Sequence, residues 1–197
     1  MPRQYTLGKR AGQKERTRQR ILDAAAALYQ EQGVSATTIP AVARRADVAP
    51  GTVLNHFASA DALAMAVVDG ILGSLELPSD EIFAGLDLVT TRVARLADEL
   101  FAFYARSESW YLVYARERQG IPAWADAEAS FNTAYDGLIR SALRPLGDDE
   151  SSVAVLSMML GGGTYSTLRA RGLSASAIAE LIVEVLAPWL ERKVAVR

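Results

Sequence analysis

Wherever this chain carries a sustained apolar pattern, the pattern repeats every three to four residues, and no segment alternates apolar and polar positions with a period of two. Such spacing admits helices and leaves nothing from which to build a sheet. The chain therefore reads as all-α, with about nine helices. Ile21, Leu22, Ala25, Leu28 and Tyr29 share one face of a helix from about Arg16 to Gln32, and Gly33 follows where a C-cap needs positive φ. Thr38 is suited to N-cap a second helix ending near Arg45, and Pro50 restarts a third through His56. A fourth runs from Asp61 to Gly73, and the stretch to Asp87 is the least regular of the chain. Val89, Val93, Leu96, Leu100 and Phe103 mark a fifth helix from about Leu88 to Arg106. A sixth is expected from Ser109 to Gln119, closed by Gly120 and Pro122. The last three cover roughly Ala123–Leu143, Asp149–Ala170 and Ser174–Lys193.

With 197 residues, half of them hydrophobic and 22% charged, the chain can bury a small module and a larger one. The absence of cysteine removes disulfides, thiolate metal sites and cysteine nucleophiles. The apolar run from Ala62 to Val68 stops at Asp69, far below the roughly 20 residues of a membrane span. The N-terminus is basic and polar with no apolar segment behind it, so no signal peptide is visible. A soluble, cytoplasmic protein without a membrane partner is expected. Net charge is only −2, but it is unevenly divided. Residues 1–60 hold nine Lys/Arg and four Asp/Glu, +5, whereas residues 61–197 hold twelve and nineteen, −7. A basic N-terminal module on an acidic body suits a polyanion reader joined to something that does not touch the polyanion. Residues 1–14 read as a flexible basic arm, 15–58 as the reading module and 59–197 as the body.

Within the basic part, Thr37 to Phe57 has the layout of a helix-turn-helix: two short helices, a tight turn at Ala46-Asp47-Val48, and a second helix opened by Pro50-Gly51. A helix that reads bases enters the major groove with short polar side chains near its N-terminal end, its backbone N–H groups and dipole facing phosphate. Gly51 lets that start lie close to DNA, and Pro50, Thr52 and Asn55 are the candidates for base contact. Val53, Leu54 and Phe57 are expected to pack beneath. Thr38 and His56, with Arg44 or Arg45, are placed to meet phosphates and fix register. Arg16, Arg18 and Arg20 lie on the polar face of the first helix, where simple solvation accounts for them equally well.

The sequence here is closer than spacing alone to a known family. Thr37-Thr38-Ile39, Ala43-Arg44-Arg45-Ala46, Val48-Ala49-Pro50-Gly51-Thr52-Val53, His56-Phe57 and Asp61-Ala62-Leu63, with Arg18, Ile21, Leu22 and Gly33 before them, resemble the DNA-binding region of TetR-family transcriptional regulators. About 50 residues carry the resemblance, and the rest matches only in length and helical character. Four positions depart from the pattern: Asp47 where the turn usually has Gly, Ala49 where Ser often caps, Leu54 where Tyr often contacts phosphate, and Ala60 where Lys or Arg does. The resemblance implies a homodimer on a palindromic double-stranded DNA operator, and an unidentified small-molecule effector held in the body.

In the body, Phe101, Tyr104, Trp110, Tyr111 and Tyr114, followed by Phe131, Tyr135, Met158, Met159 and Tyr165, make an aromatic and sulfur-rich set. Ordinary core packing explains any one of them; the number with polar tips favours a pocket, since a buried Tyr or Trp needs a partner that a ligand can supply. Ile178, Leu181, Ile182, Val185 and Trp189 form a broad apolar face on the last helix. Leu156, Leu160 and Gly161 lie on the helix before it, Gly161 opening a run of three glycines that allows either close helix approach or a kink. By the resemblance, these two helices pair with their copies as a four-helix bundle.

No enzyme is expected. The one histidine, His56, lies in the reading helix, and no strand precedes a Gly-rich loop. No cofactor or metal is expected either. A ligand-responsive repressor is the resulting reading; a constitutive DNA-binding protein whose body only dimerises is the alternative, separable by whether small hydrophobic molecules raise Tm.

Overall fold

A computed structural model describes residues 3–117, 123–147 and 149–195. It is all-α, as the periodicity requires, with helices α1 (Arg3–Gln32), α2 (Ile39–Arg45), α3 (Pro50–His56), α4 (Ala60–Ser74), α5 (Val89–Arg106), α6 (Glu108–Glu117), α7 (Ala123–Leu143), α8 (Glu150–Met159), α9 (Gly162–Arg169) and α10 (Ala175–Ala195). Two short 3₁₀ turns, Asp80–Phe83 and Arg144–Leu146, complete the elements among the described residues. Gly120 and Pro122, expected to close α6, lie outside the described residues.

The chain divides into two compact units. The first is Met1–Ser74 together with Ser109–Ala127, and the second is Leu75–Glu108 together with Glu128–Arg197. The sequence reading closes the reading module at residue 58, but its core continues into α4. Ile21, Ala25, Val42, Val53 and Phe57 bury against Leu63, Ala64 and Val67, with Trp110 of α6 packed on them. A reading module without α4 would leave that apolar side bare, which is why the boundary moves.

Helix α1 begins at Arg3, where a flexible arm to residue 14 is expected from sequence. Where burial is described in this stretch, Ala11 and residues 13–16 are exposed, which accounts for the missing apolar period there. Gln, Lys, Glu and Arg are all good helix formers, so solvent exposure and helix coexist there.

Tyr29 is buried in this core, 3% exposed. Burial first, and then the Asp61 carboxylate, push its pKa up to about 12 from an ordinary value of 10.0. The folded-state value lies above the unfolded one, so the stability it contributes is complete below pH 10 and disappears as pH rises towards 12. Tyr29→Phe is expected to hold its helix signal further into that range than the wild type. Superimposable alkaline titrations by circular dichroism would contradict this.

In the second unit, α5 and α10 form the spine. Val93, Leu96, Leu100, Ile178, Ile182 and Leu190 fill the space between them, with Ile139 and Leu143 of α7 and Leu156 and Leu160 of α8 and its cap. The helix expected over 149–170 is two helices, α8 and α9, broken at Gly161, whose ψ of 159° is extended. A Cβ there would lie 2.9 Å from the Ser157 carbonyl oxygen. The break leaves that carbonyl without its helical partner, and the Tyr135 hydroxyl donates to it at 2.9 Å. Of the two roles open to the glycines, Gly161 takes the kink.

Candidate nucleic-acid interface

The reading unit is built from two short helices whose ends are set by the residues at their termini. Thr38 N-caps α2, its hydroxyl oxygen accepting from the Ala41 N–H at 3.3 Å, and Pro40 occupies the first turn where its missing N–H costs nothing. At the other end Asp47 takes φ 54°, the left-handed conformation. The Val48 N–H bonds the Ala43 carbonyl at 3.0 Å and the Asp47 N–H that of Arg44 at 3.3 Å. These are the two bonds of a Schellman cap, formed with Asp where Gly is usual. The turn keeps its geometry despite the departure at Asp47, since Asp tolerates this region better than most side chains.

Helix α3 is opened by Pro50 with Ala49 as its N-cap, which offers no side-chain hydrogen bond. Pro50 has no N–H and the Thr52 N–H bonds the Ala49 carbonyl at 2.8 Å, so in the first turn the Gly51 N–H is left to solvent or to an anion. Val53, 0% exposed, and Phe57, 5%, anchor the helix from below. Pro50, Gly51 and Asn55 are exposed, and Thr52 and His56 are half-buried. Leu54, expected to pack beneath, is 49% exposed and so lies on the outward side. It falls one residue after Val53, about 100° further round the helix, and cannot share that residue's inward direction.

The phosphate candidates separate. Arg45 is held by Glu31 through two hydrogen bonds of 2.8 and 2.7 Å, and this pairing draws the Glu31 carboxyl below its usual pKa. Arg44 is exposed and makes no ion pair among the described residues, so of the two it is the available cation. Thr38 is exposed, and while its oxygen caps α2 its hydroxyl proton remains free to donate. Sequence reasoning passes over a cleft in which Ala11, Lys14, Glu15 and Arg18 of α1 face Asn55 and His56 of α3. The Arg18 guanidinium sits 5.2 Å above the Phe57 ring and 3.9 Å from Glu15. The i, i+4 spacing of Lys14 and Arg18 is the signal that points to it.

Helix α6 is docked against the same unit. The Ser35 N–H donates to Glu117 at 2.8 Å, and Gln30 donates to the Ser109 hydroxyl at 3.2 Å. Gly33 makes room for that carboxylate: its φ is 93°, and a Cβ on it would collide with Glu117 Oε1.

The aromatic candidates fall into two groups. In the second unit Phe101, Tyr104, Phe131, Tyr135 and Tyr165 join with Phe103, which the periodicity places in the core stripe of α5, in ring contacts of 5.6–6.3 Å. In the first unit Tyr111 contacts Tyr114, which meets Trp124 edge-on at 5.5 Å, and Trp110 packs on the reading core. Met159 is partly buried against the second core, but Met158 is 66% exposed and faces outward. The Tyr165 hydroxyl and the Trp124 Nε1 are buried with no hydrogen-bond partner among the described residues.

The dimer candidates also need correction. Leu156, Leu160, Ile178 and Ile182, 0–4% exposed, are spent in the core of their own unit. An amphipathic stripe read from sequence does not say which side of it a chain buries within itself. Leu181 and Val185 are exposed, Trp189 is partly buried beside the Lys193 ammonium, and Gly161 is the break described above.

Two short helices joined by a tight turn, the second anchored by its apolar side and offering small polar groups, define a helix-turn-helix DNA-binding protein. Residues 21–67 match the model of bacterial regulatory proteins of the tetR family. The chain is 29% identical to the HTH-type transcriptional regulator SrpR of Pseudomonas putida, over 86% of its own length and 84% of the relative's. Its fold is similar to that of the transcriptional regulator FadR from Bacillus subtilis, solved in complex with stearoyl-CoA, with a TM-score of 0.64 at 17% identity over 85% of this chain and 96% of that one. A TetR-like transcriptional regulator from Rhodococcus sp. RHA1 gives 0.63 at 18% identity over 92% and 97%. The match over residues 21–67 groups the helix-turn-helix part of the chain with the bacterial regulatory proteins of the tetR family.

Proposed function

We propose that the chain is a ligand-responsive repressor, acting in the cytoplasm as a homodimer on a palindromic operator and released by a small, largely hydrophobic or aromatic effector. The observation that carries the DNA-binding part is α3 itself: Pro50, Gly51 and Asn55 outward on a helix locked by Val53 and Phe57. Thr52 and Asn55 read base edges, and Thr38, Arg44 and His56 hold phosphates. A two-fold dimer places two such helices about 34 Å apart or a multiple of that. Exposed Met158, Leu181 and Val185 supply apolar surface for the pairing.

The ring cluster around Tyr165 supports an effector with a flat apolar body. Within the reading unit, Glu117 of α6 holds the loop between α1 and α2. The effector shifts the equilibrium only by its differential affinity for the two states, about 5.5 kcal/mol for a 1:99 to 99:1 swing.

The test starts from DNA fragments selected by the protein from genomic DNA. Asn55→Ala removes a bidentate donor and acceptor from the reading helix, and is expected to lower the ratio of operator to random-duplex affinity by about 1–3 kcal/mol for each base it reads. An unchanged ratio would remove α3 as the reader.

A further inference from the structure

We infer that Leu54 reads a thymine methyl group in the major groove, so that the operator carries a thymine at the position it meets. The inference rests on the reading of α3 proposed above and deepens it, from which helix reads to what one of its side chains requires of the DNA.

Leu54 is 49% exposed. Of the exposed large apolar side chains among the described residues, it is the one carried by the two helices of the helix-turn-helix. An exposed leucine by itself is ordinary surface, but its neighbours on α3 single this one out. Gly51, three residues earlier, shares its side of the helix, and a Cβ there would meet nothing within 4 Å, so that side is open to close approach. Pro50, four residues earlier, is exposed as well and adds its ring carbons to the same strip. Asn55 follows, also exposed. Val53 and Phe57, 0% and 5% exposed, anchor the helix so that the strip stays outward.

The chemistry of the strip decides what it can meet. An isobutyl group has neither donor nor acceptor, so it cannot take over the phosphate contact of the Tyr often found at this position, and the polar base edges give it nothing. The C5-methyl of thymine is the apolar group that an unmodified base pair presents in the major groove. Asn55 is suited to the N6 and N7 of adenine, whose partner is thymine. Successive residues of a helix point about 100° apart, so Leu54 and Asn55 meet neighbouring groups, one apolar and one polar, of an A·T-containing step. Removing the methyl and the leucine from water together contributes affinity that a G·C pair does not supply.

The experiment takes the operator selected from genomic DNA and replaces its thymines by deoxyuridine, one symmetric pair of positions at a time. The exchange removes the methyl and keeps every base-pair hydrogen bond and phosphate. At the contacted position the wild type should lose about fourfold in affinity per methyl, and about fifteenfold when both half-sites lose it. Leu54→Ala, which keeps helix propensity, should bind the thymine and uracil operators alike. Leu54→Met, which keeps an apolar side chain of similar reach, should retain the penalty. A wild type indifferent to uracil at every position, or a penalty of the same size in Leu54→Ala, would overturn the inference. Asn55→Ala separates this outcome from failure of the reading of α3. If that variant loses the preference for operator over random duplex while the wild type ignores uracil, α3 remains the reader and the role of Leu54 falls. If it keeps the preference and the Leu54-dependent penalty is still found, Leu54 stands and the role of Asn55 falls.

Discussion

Replacing Arg92 by alanine is expected to cost the second unit about 3–5 kcal/mol. The side chain is 7% exposed and serves as a connector of backbone. Its Nη1 donates to the carbonyls of Phe83 and Leu86 at 3.3 and 2.9 Å, and its Nη2 to that of Ser141 at 2.8 Å. The guanidinium also lies 4.5 Å above the Phe83 ring. One planar group thus ties the segment before α5 to the end of α7. No carboxylate hydrogen-bonds to it among the described residues. Burial, then the neighbouring Arg144, pull its pKa down, and Asp80 and Asp87 oppose that from a distance. Alanine would leave the Leu86 and Ser141 carbonyls without this donor, each costing about 1–3 kcal/mol where water cannot reach, while the Phe83 carbonyl keeps the Leu86 N–H at 3.1 Å, and would open a cavity. Arg92→Lys has one ammonium for three diverging acceptors and should recover only part of the loss. Urea midpoints would measure both, and a loss under 1 kcal/mol for the alanine variant would show that the segment does not depend on this anchor.

The second large effect is expected at Gly33. Gly33→Ala should destabilise the reading unit by about 2.5–5 kcal/mol, from two separable sources. A φ of 93° is strained for any L side chain, at about 1–2 kcal/mol. The new methyl group would also displace the Glu117 carboxylate, whose bond from the Ser35 N–H is of the charge-assisted kind, about 1.5–3 kcal/mol. In a Glu117→Ala background only the backbone share should remain. A double-mutant cycle therefore isolates the contact, and equal costs in both backgrounds would mean that the carboxylate is not seated against Gly33.

The reading module is legible in the sequence because its chemistry is local. Pro50-Gly51, the Thr38 cap and the stripe through Val53 and Phe57 act over a few residues, and all are found where spacing places them. Gly33 is legible as a C-cap for the same reason, but its second role, admitting a carboxylate 84 positions along the chain, is not. The long-range choices stay hidden. Leu156, Leu160, Ile178 and Ile182 have the same periodicity whether they face a partner or their own core, and only the packing of α5 against α10 decides between the two. Arg45 and Arg44 are equivalent in sequence until Glu31 takes one of them. The part of α1 over residues 11–16 escapes a reading that takes apolar period as the sign of a helix, because Ala11 and residues 13–16 are exposed and an exposed helix has none.

The reading unit takes in residues 109–127 as well as the first 74, and this bears on how such a chain can be cut and recombined. Val34 of the loop after α1 and Val68 of α4 share an apolar cluster with Val113 of α6 and Trp124 at the start of α7. A hybrid regulator joined at residue 58 or 74 would inherit a head missing one wall, with its own valines bare to water and a foreign helix in place of Glu117. Specificity is transplantable in this chain only as two segments moved together, and the seam between a new sensor and this head has to be drawn around α6.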